Sequence, residues 1–401
     1  MNKMMLFLGL MTMSLVGPAH SAALPQGGTP EGLKVLTFNI DTNIGRTEEG
    51  NARDSHPEWR VGSRMPAIKS SLKDVITKYS PDVIQIQEGR KFITKFGDEV
   101  DSITPLMDFF AAEGYQVSTE QYNPTDRSFS FITAIKNNFM IDGYEKFYFT
   151  KTPNVPTDHS LSMADIKDHN YGEEWERCVY ITDFRDALGR HYRLKNVHLG
   201  IGELHRKKAC EMLRQDSEQA IALDPAVLEV TTGDFNTFPD WGGPAQLEIM
   251  AQNAVLEEVT KDLRLLNGKR IDSTFIAFPY DFAADEKRLN AASLKDAGKP
   301  LAGVLYDMPA DARREKIDEL FVTECKALGG HLDRVYQHGF AKARATLLPT
   351  PQFDDFDKER VDESSVKDFV VRHLQDGPAF ASDHQPILVE CELKQAKRAA
   401  K

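Results

Sequence analysis

Short apolar runs rich in β-branched and aromatic residues recur along the whole chain, and they end repeatedly in Asn, Glu, His or Asp. Runs of that length and composition read as strands. The first, residues 34–40, has Asn39 as its only strongly polar interior group. In residues 64–79 the apolar positions Met65, Ile68, Leu72, Val75, Ile76 and Tyr79 recur instead at helical spacing, and Ser80-Pro81 stops that helix. A second strand follows at once over residues 82–88 and ends in Glu88. Residues 180–184 and 192–199 flank the turn-rich Asp186-Ala187-Leu188-Gly189 and predict a hairpin that leaves His198 at a strand end. Residues 204–223 have helical composition, and the strand at 227–232 runs into Gly233-Asp234-Phe235-Asn236. The last clear strands are residues 317–322 and 385–390, the latter preceded by Ser382-Asp383-His384. A chain that interleaves strands and helices in this way is of mixed α/β class.

Composition adds two bounds. With 41% hydrophobic and 27% charged residues the chain is an ordinary globular one, which argues against disorder and coiled coil. Lys+Arg 49 against Asp+Glu 61 gives a net charge of -12, which argues against holding nucleic acid by a basic surface alone. An enzyme that reaches phosphate through a metal remains open. At the start, Lys3, the apolar residues 4–16 and the small residues of Ala19-His20-Ser21-Ala22-Ala23 predict a secretory signal peptide over 1–23. The apolar run falls short of the roughly 20 residues a spanning helix needs. The mature protein is therefore expected to be secreted or periplasmic, with one catalytic-size domain over 30–395 and surface insertions near 283–314 and 347–376. Export permits disulfides, and the four cysteines leave a Cys325–Cys391 bridge and four buried thiols both open. No CxxC or Cys/His cluster suggests zinc. No coiled-coil element is visible, so a monomer without a stable protein partner is expected.

The polar strand ends carry the chemistry. Hard divalent cations such as Mg²⁺ take oxygen ligands and pair with phosphates. Asn39, Glu88, His198, Asp234, Asn236, Asp318, Asp383 and His384 all lie at or beside the ends of apolar runs, where a sheet scaffold can gather distant residues. A single Asp there is usually a turn residue or cap. Six segments in order are more specific: Leu36-Thr37-Phe38-Asn39, Asp82-Val83-Ile84-Gln85-Ile86-Gln87-Glu88, Asn196-Val197-His198-Leu199, Gly233-Asp234-Phe235-Asn236, Lys316-Ile317-Asp318-Glu319-Leu320-Phe321-Val322 and Ser382-Asp383-His384-Gln385-Pro386.

This series resembles the endonuclease/exonuclease/phosphatase superfamily over about residues 33–393. The resemblance implies a four-layered α/β sandwich, two packed mixed sheets flanked by helices, and a metal-dependent phosphoric ester hydrolase. It implies Glu88 as the principal metal ligand, with Asn39 and Asp383 beside it, and Mg²⁺ as the ion, with Mn²⁺ or Ca²⁺ as alternatives. It makes His384 the general base or phosphate-stabilising imidazolium with Asp318 orienting it, and Asp234 the rival base. Asn236 is then a phosphate donor, and His198 a phosphate contact or leaving-group acid. One fold hosts several chemistries, so the substrate is less constrained. A DNase-like nuclease acting on DNA or RNA ranks first, and a sphingomyelinase-like or other phospholipid or small-phosphate phosphoesterase second. A non-catalytic binding protein that keeps the fold is the third reading, and the near-complete polar set argues against it.

Overall fold

The computed structural model describes residues 32–40, 61–93, 99–121, 129–149, 177–200, 203–237, 248–265, 332–348, 382 and 384–394, with a few short pieces between 268 and 330. Two sheets dominate it. In the first, β11 (Arg264–Leu265), β13 (Lys342–Leu347), β14 (Ile387–Glu392), β1 (Gly32–Asn39), β2 (Val83–Ile93), β5 (Phe129–Lys136) and β4 (Tyr115–Gln121) lie side by side, and β3 (Glu99–Asp101) pairs with β2. In the second the order is β10 (Glu257–Glu258), β12 (Asp333–His338), β9 (Leu228–Asp234), β8 (His191–His198), β7 (Cys178–Arg185) and β6 (Met140–Tyr148). Both sheets are mixed: β1 runs parallel to β2 and β8 parallel to β9, while most other neighbours are antiparallel.

Strand parity sorts the layers, because successive side chains point to opposite faces. Leu33 and Val35 of β1 pack with Tyr192 and Leu194 of β8 and Leu228 and Val230 of β9 in the core between the sheets. Leu36 and Phe38 point the other way and meet Ile68, Leu72 and Val75 of α1 (Val61–Tyr79) and Leu106 and Phe110 of α2 (Ile103–Ala112). Burying each such Leu or Phe contributes about 1.5 to 3 kcal/mol. On the far side, Val179, Ile181 and Val197 face Ala209, Cys210 and Leu213 of α3 (Glu203–Leu223). The result is helix, sheet, sheet, helix, the expected four-layered α/β sandwich. Among the described residues no helix is long and apolar enough to cross a membrane.

The helices at 64–79 and 204–223 and the strands begun at 34, 82, 180, 192 and 227 are found with boundaries shifted by a few residues. The expected strand at 317–322 lies outside the described residues, as do the leader and most of both insertions. β9 pairs with β12, with Asp333 opposite Asp234. Cys178, Cys210 and Cys391 are buried free thiols, so the Cys325–Cys391 bridge is not formed. Cys391 belongs to the apolar core between the sheets.

Gly233 lets β8 and β9 approach. Its φ is +139°, and a Cβ there would stand 1.9 Å from the Val197 carbonyl oxygen. Gly233→Ala should therefore cost about 3 kcal/mol or prevent folding, read from the urea midpoint. An unchanged midpoint would mean that the two strands do not meet as described.

Candidate active site

Parity also explains why the polar strand ends gather. Asn39, His198, Asp234 and Asp333 all share the phase of the residues that fill the inter-sheet core, so their side chains enter the space between the sheets at one end. Glu88 arrives there by a different device. The β2–β5 register shifts between Ile86 and Gly89, and Glu88 sits in that bulge with φ +61°. A bulge re-aims a side chain at the cost of a strained backbone. Asn196 braces it, donating its amide to the Ile86 carbonyl at 3.2 Å and the Ile132 carbonyl at 3.4 Å.

Five of the predicted residues meet in this buried cluster. The Asn39 amide nitrogen donates to Glu88 Oε1 at 3.2 Å and Asp234 Oδ2 at 3.1 Å, and lies 3.5 Å from His384 Nε2. His198 Nε2 is 3.4 Å from Asp234 Oδ2 and 3.8 Å from Glu88 Oε1. Asn236, with φ +51°, closes a turn in which its N–H donates to Asp234 Oδ1 at 2.7 Å. Its side-chain amide donates to the Leu199 carbonyl at 2.7 Å, so part of the donor expected to meet phosphate holds the strand after His198. Asp383 and Asp318 lie outside the described residues.

The orienting role expected of Asp318 is filled by Asp333. His384 Nδ1 donates to Asp333 Oδ2 at 2.8 Å, and that nitrogen has a single hydrogen-bond direction to give. Nε2 is then the acceptor that faces Asn39 and Asp234. Residues 332–336, Leu-Asp-Arg-Val-Tyr, carry the same apolar pattern around an Asp as 317–321, and the pairing of the former with β9 places Asp333 beside the cluster. Two further roles escaped the sequence reading. The Ser382 hydroxyl donates to the Asn39 carbonyl at 2.7 Å and accepts the His384 N–H at 3.1 Å, tying the histidine to the end of β1. Arg177, just before β7, sends Nη1 to the His198 carbonyl at 3.4 Å.

Electrostatics follow from burial. The His198 imidazole is held well below its usual range, first by burial and then by the Arg177 charge, so it is neutral at neutral pH. Burial pushes Asp234 up to about 6; nearby Asp333 adds to the rise and His384 opposes it. Ligand atoms of Glu88, His198 and Asp234 all lie within 4.8 Å of one another. Two carboxylates and a neutral imidazole in one buried space suit a divalent cation, which would relieve their mutual repulsion. Of the three ligands expected, Glu88 belongs to this set, whereas Asn39 turns its nitrogen toward the carboxylates.

No protein-family model matches the chain, and no curated protein matches its sequence. Solved structures do. An endonuclease/exonuclease/phosphatase family protein from Bacteroides thetaiotaomicron aligns over 91% of this chain and 99% of its own, at 15% identity and a TM-score of 0.51. A conserved protein of unknown function from Enterococcus faecalis aligns over 90% and 100%, at 14% identity and a TM-score of 0.50. A mannosyl-6-phosphatase from Bacteroides thetaiotaomicron aligns over 90% and 99%, at 16% identity and a TM-score of 0.49. The architecture is thus the two-sheet sandwich that the six segments imply. It is the deoxyribonuclease-like fold of the endonuclease/exonuclease/phosphatase proteins.

Two outcomes are expected. Asp333→Asn should abolish the downfield Nδ1–H signal of His384 in imidazole NMR, and Asp318→Asn should leave it in place; the opposite pattern would return the pairing to Asp318. Asp234 has a folded pKa of about 6 against 3.8, so the native state holds its proton more tightly than the unfolded chain. The metal-free protein should therefore lose stability as pH rises from about 4 to about 6. Asp234→Asn should flatten that slope and raise the melting temperature at alkaline pH.

Proposed function

We propose that this chain is a secreted or periplasmic, divalent-metal-dependent phosphoester hydrolase, and that its substrate is a nucleic-acid phosphodiester cleaved in the manner of a deoxyribonuclease. The observation that carries this reading is the meeting of Glu88, His198, Asp234 and His384 in one buried cluster, with His384 backed by Asp333. The leader sequence supports export. Glu88, Asp234 and His198 would hold the cation, with Mg²⁺ the ion that an oxygen-rich set favours. When bound, it supplies positive charge to a phosphate oxygen as negative charge builds on the transferring phosphorus.

The protein's own groups do the remainder. His384 Nε2, made an acceptor by the Nδ1–H bond to Asp333, can take a proton from an attacking water. Asp234 lies 3.8 Å from that nitrogen and can stabilise the imidazolium that results. Asn39 links Glu88, Asp234 and His384 through one amide and holds their spacing. The Arg177 guanidinium places a permanent positive charge beside these groups, as a phosphate anion requires.

A second reading is favoured by the net charge of -12, which repels a polyanion and leaves phospholipids or small organic phosphates as substrates. Nicking of supercoiled plasmid by the mature protein in Mg²⁺ separates the two. We expect nicking that EDTA abolishes and that His384→Ala lowers about 10²- to 10⁴-fold. Full nicking by His384→Ala would refute the assigned site. Absence of nicking, with release of choline phosphate or inorganic phosphate from small esters, would move the substrate to the second reading.

A further inference from the structure

Beyond the cluster, one buried histidine serves no part of the chemistry above. His205 stands in the first turn of α3, is 1% exposed, and lies edge-on to Phe149 with ring centroids 5.9 Å apart. Its Nδ1 accepts the backbone N–H of Gly200 at 3.2 Å. Gly200 is two residues past His198, on the link from β8 to α3.

The polar groups of that link are held in succession. The Leu199 N–H donates to the Asp234 carbonyl at 2.8 Å. The Leu199 carbonyl takes the Asn236 amide at 2.7 Å, and the Gly200 N–H goes to His205. Two of these bonds come from the Gly233-Asp234-Phe235-Asn236 turn; the third comes from α3. It adds an anchor from α3 to those from the turn and from Arg177, whose Nη1 reaches the His198 carbonyl at 3.4 Å. We propose that His205 is a positioning residue, whose imidazole acceptor fixes the strand end carrying His198 against Asp234 through the Gly200 amide.

Two properties of the ring favour this role over simple packing. Among the described residues its buried Nε2 has no hydrogen-bond partner. Since Nδ1 accepts, Nε2 carries the proton, and a buried N–H without a partner is a cost that phenylalanine or leucine in the same space would avoid. A residue there only to fill volume gains nothing from that atom, whereas the acceptor on the other side of the ring is used. Burial, with the Arg177 and Arg206 charges, also pushes its pKa down to about 3, so the acceptor stays unprotonated across ordinary pH.

Only the kinetic arm of the test rests on the hydrolase reading. By NMR of the wild-type protein, His205 should keep a bare Nδ1 and a protonated Nε2 from about pH 5 to about pH 8. Protonation of Nδ1 in that range would overturn the proposal. His205→Phe keeps the volume and removes the acceptor; His205→Asn restores an acceptor oxygen near the place of Nδ1. We expect the Phe variant to lose exchange protection at the Gly200 amide and to lower kcat about 10- to 100-fold with KM within about twofold. The Asn variant should retain both properties to within about threefold, in keeping with a restored hydrogen bond. Wild-type Gly200 protection in the Phe variant, or an Asn variant as impaired as Phe, would sink the proposal. Should the Phe variant not fold, the wild-type tautomer and the Asn variant decide. Should the wild-type protein hydrolyse no phosphoester, the function proposed above fails while Gly200 exchange still decides the role of His205.

Discussion

The two sheets are pinned to each other by directional bonds, and the site exists only because that offset is held. Apolar contact is non-directional and would tolerate a sliding of one sheet over the other. A polar seam removes that freedom. Gln87 of β2 donates to Asn196 of β8 at 2.7 Å, and Thr232 of β9 bonds Gln85 of β2. Asn39 of β1 reaches Asp234 of β9 at 3.1 Å. These bonds are buried, so breaking one strands a desolvated polar group, and each therefore specifies position more sharply than its net contribution suggests. The seam leads directly into the cluster: Gln87 precedes Glu88, and Asn196 lies two residues before His198.

The functional end of the sandwich is built from choices that each cost stability. Glu88 and Asn236 hold left-handed backbone that favours glycine. Asp234 is buried where ionisation is disfavoured, and His205 buries an N–H that has no partner among the described residues. Elsewhere the same sheets are conventional, with alternating apolar residues under three amphipathic helices. Strain at Glu88 and Asn236 is the pattern expected where position, and not stability, is what a site requires. A bound cation would offset part of that cost by pairing with the carboxylates.

Much of this was legible in the chain. The polar ends of apolar runs pointed to Asn39, Glu88, His198, Asp234 and His384, and all five meet. What escaped was a matter of pairing. Asp318 and Asp333 sit in similar apolar surroundings, and an isolated strand pattern carries no information about its neighbour. Only the antiparallel register that sets Asp333 opposite Asp234 reveals that Asp333 reaches His384. Arg177 was likewise missed because nothing local separates it from a surface arginine. Ser382 was read as part of a motif, but its use as a clamp between β1 and His384 depends on two segments far apart in sequence.

Local sequence by itself determined the alternation of strands and helices, the placing of Asn39, His198 and Asp234 at strand ends, and the chemical types available to a phosphate or a metal. These follow from short-range rules, since strand parity and helical spacing are set by backbone geometry within a few residues. Tertiary structure alone decided which carboxylate holds His384, that a bulge turns Glu88 inward, and that His205 reaches back to the strand end. Each of those depends on the relative placement of elements distant in the chain, and that placement arises only when the two sheets and their helices pack together.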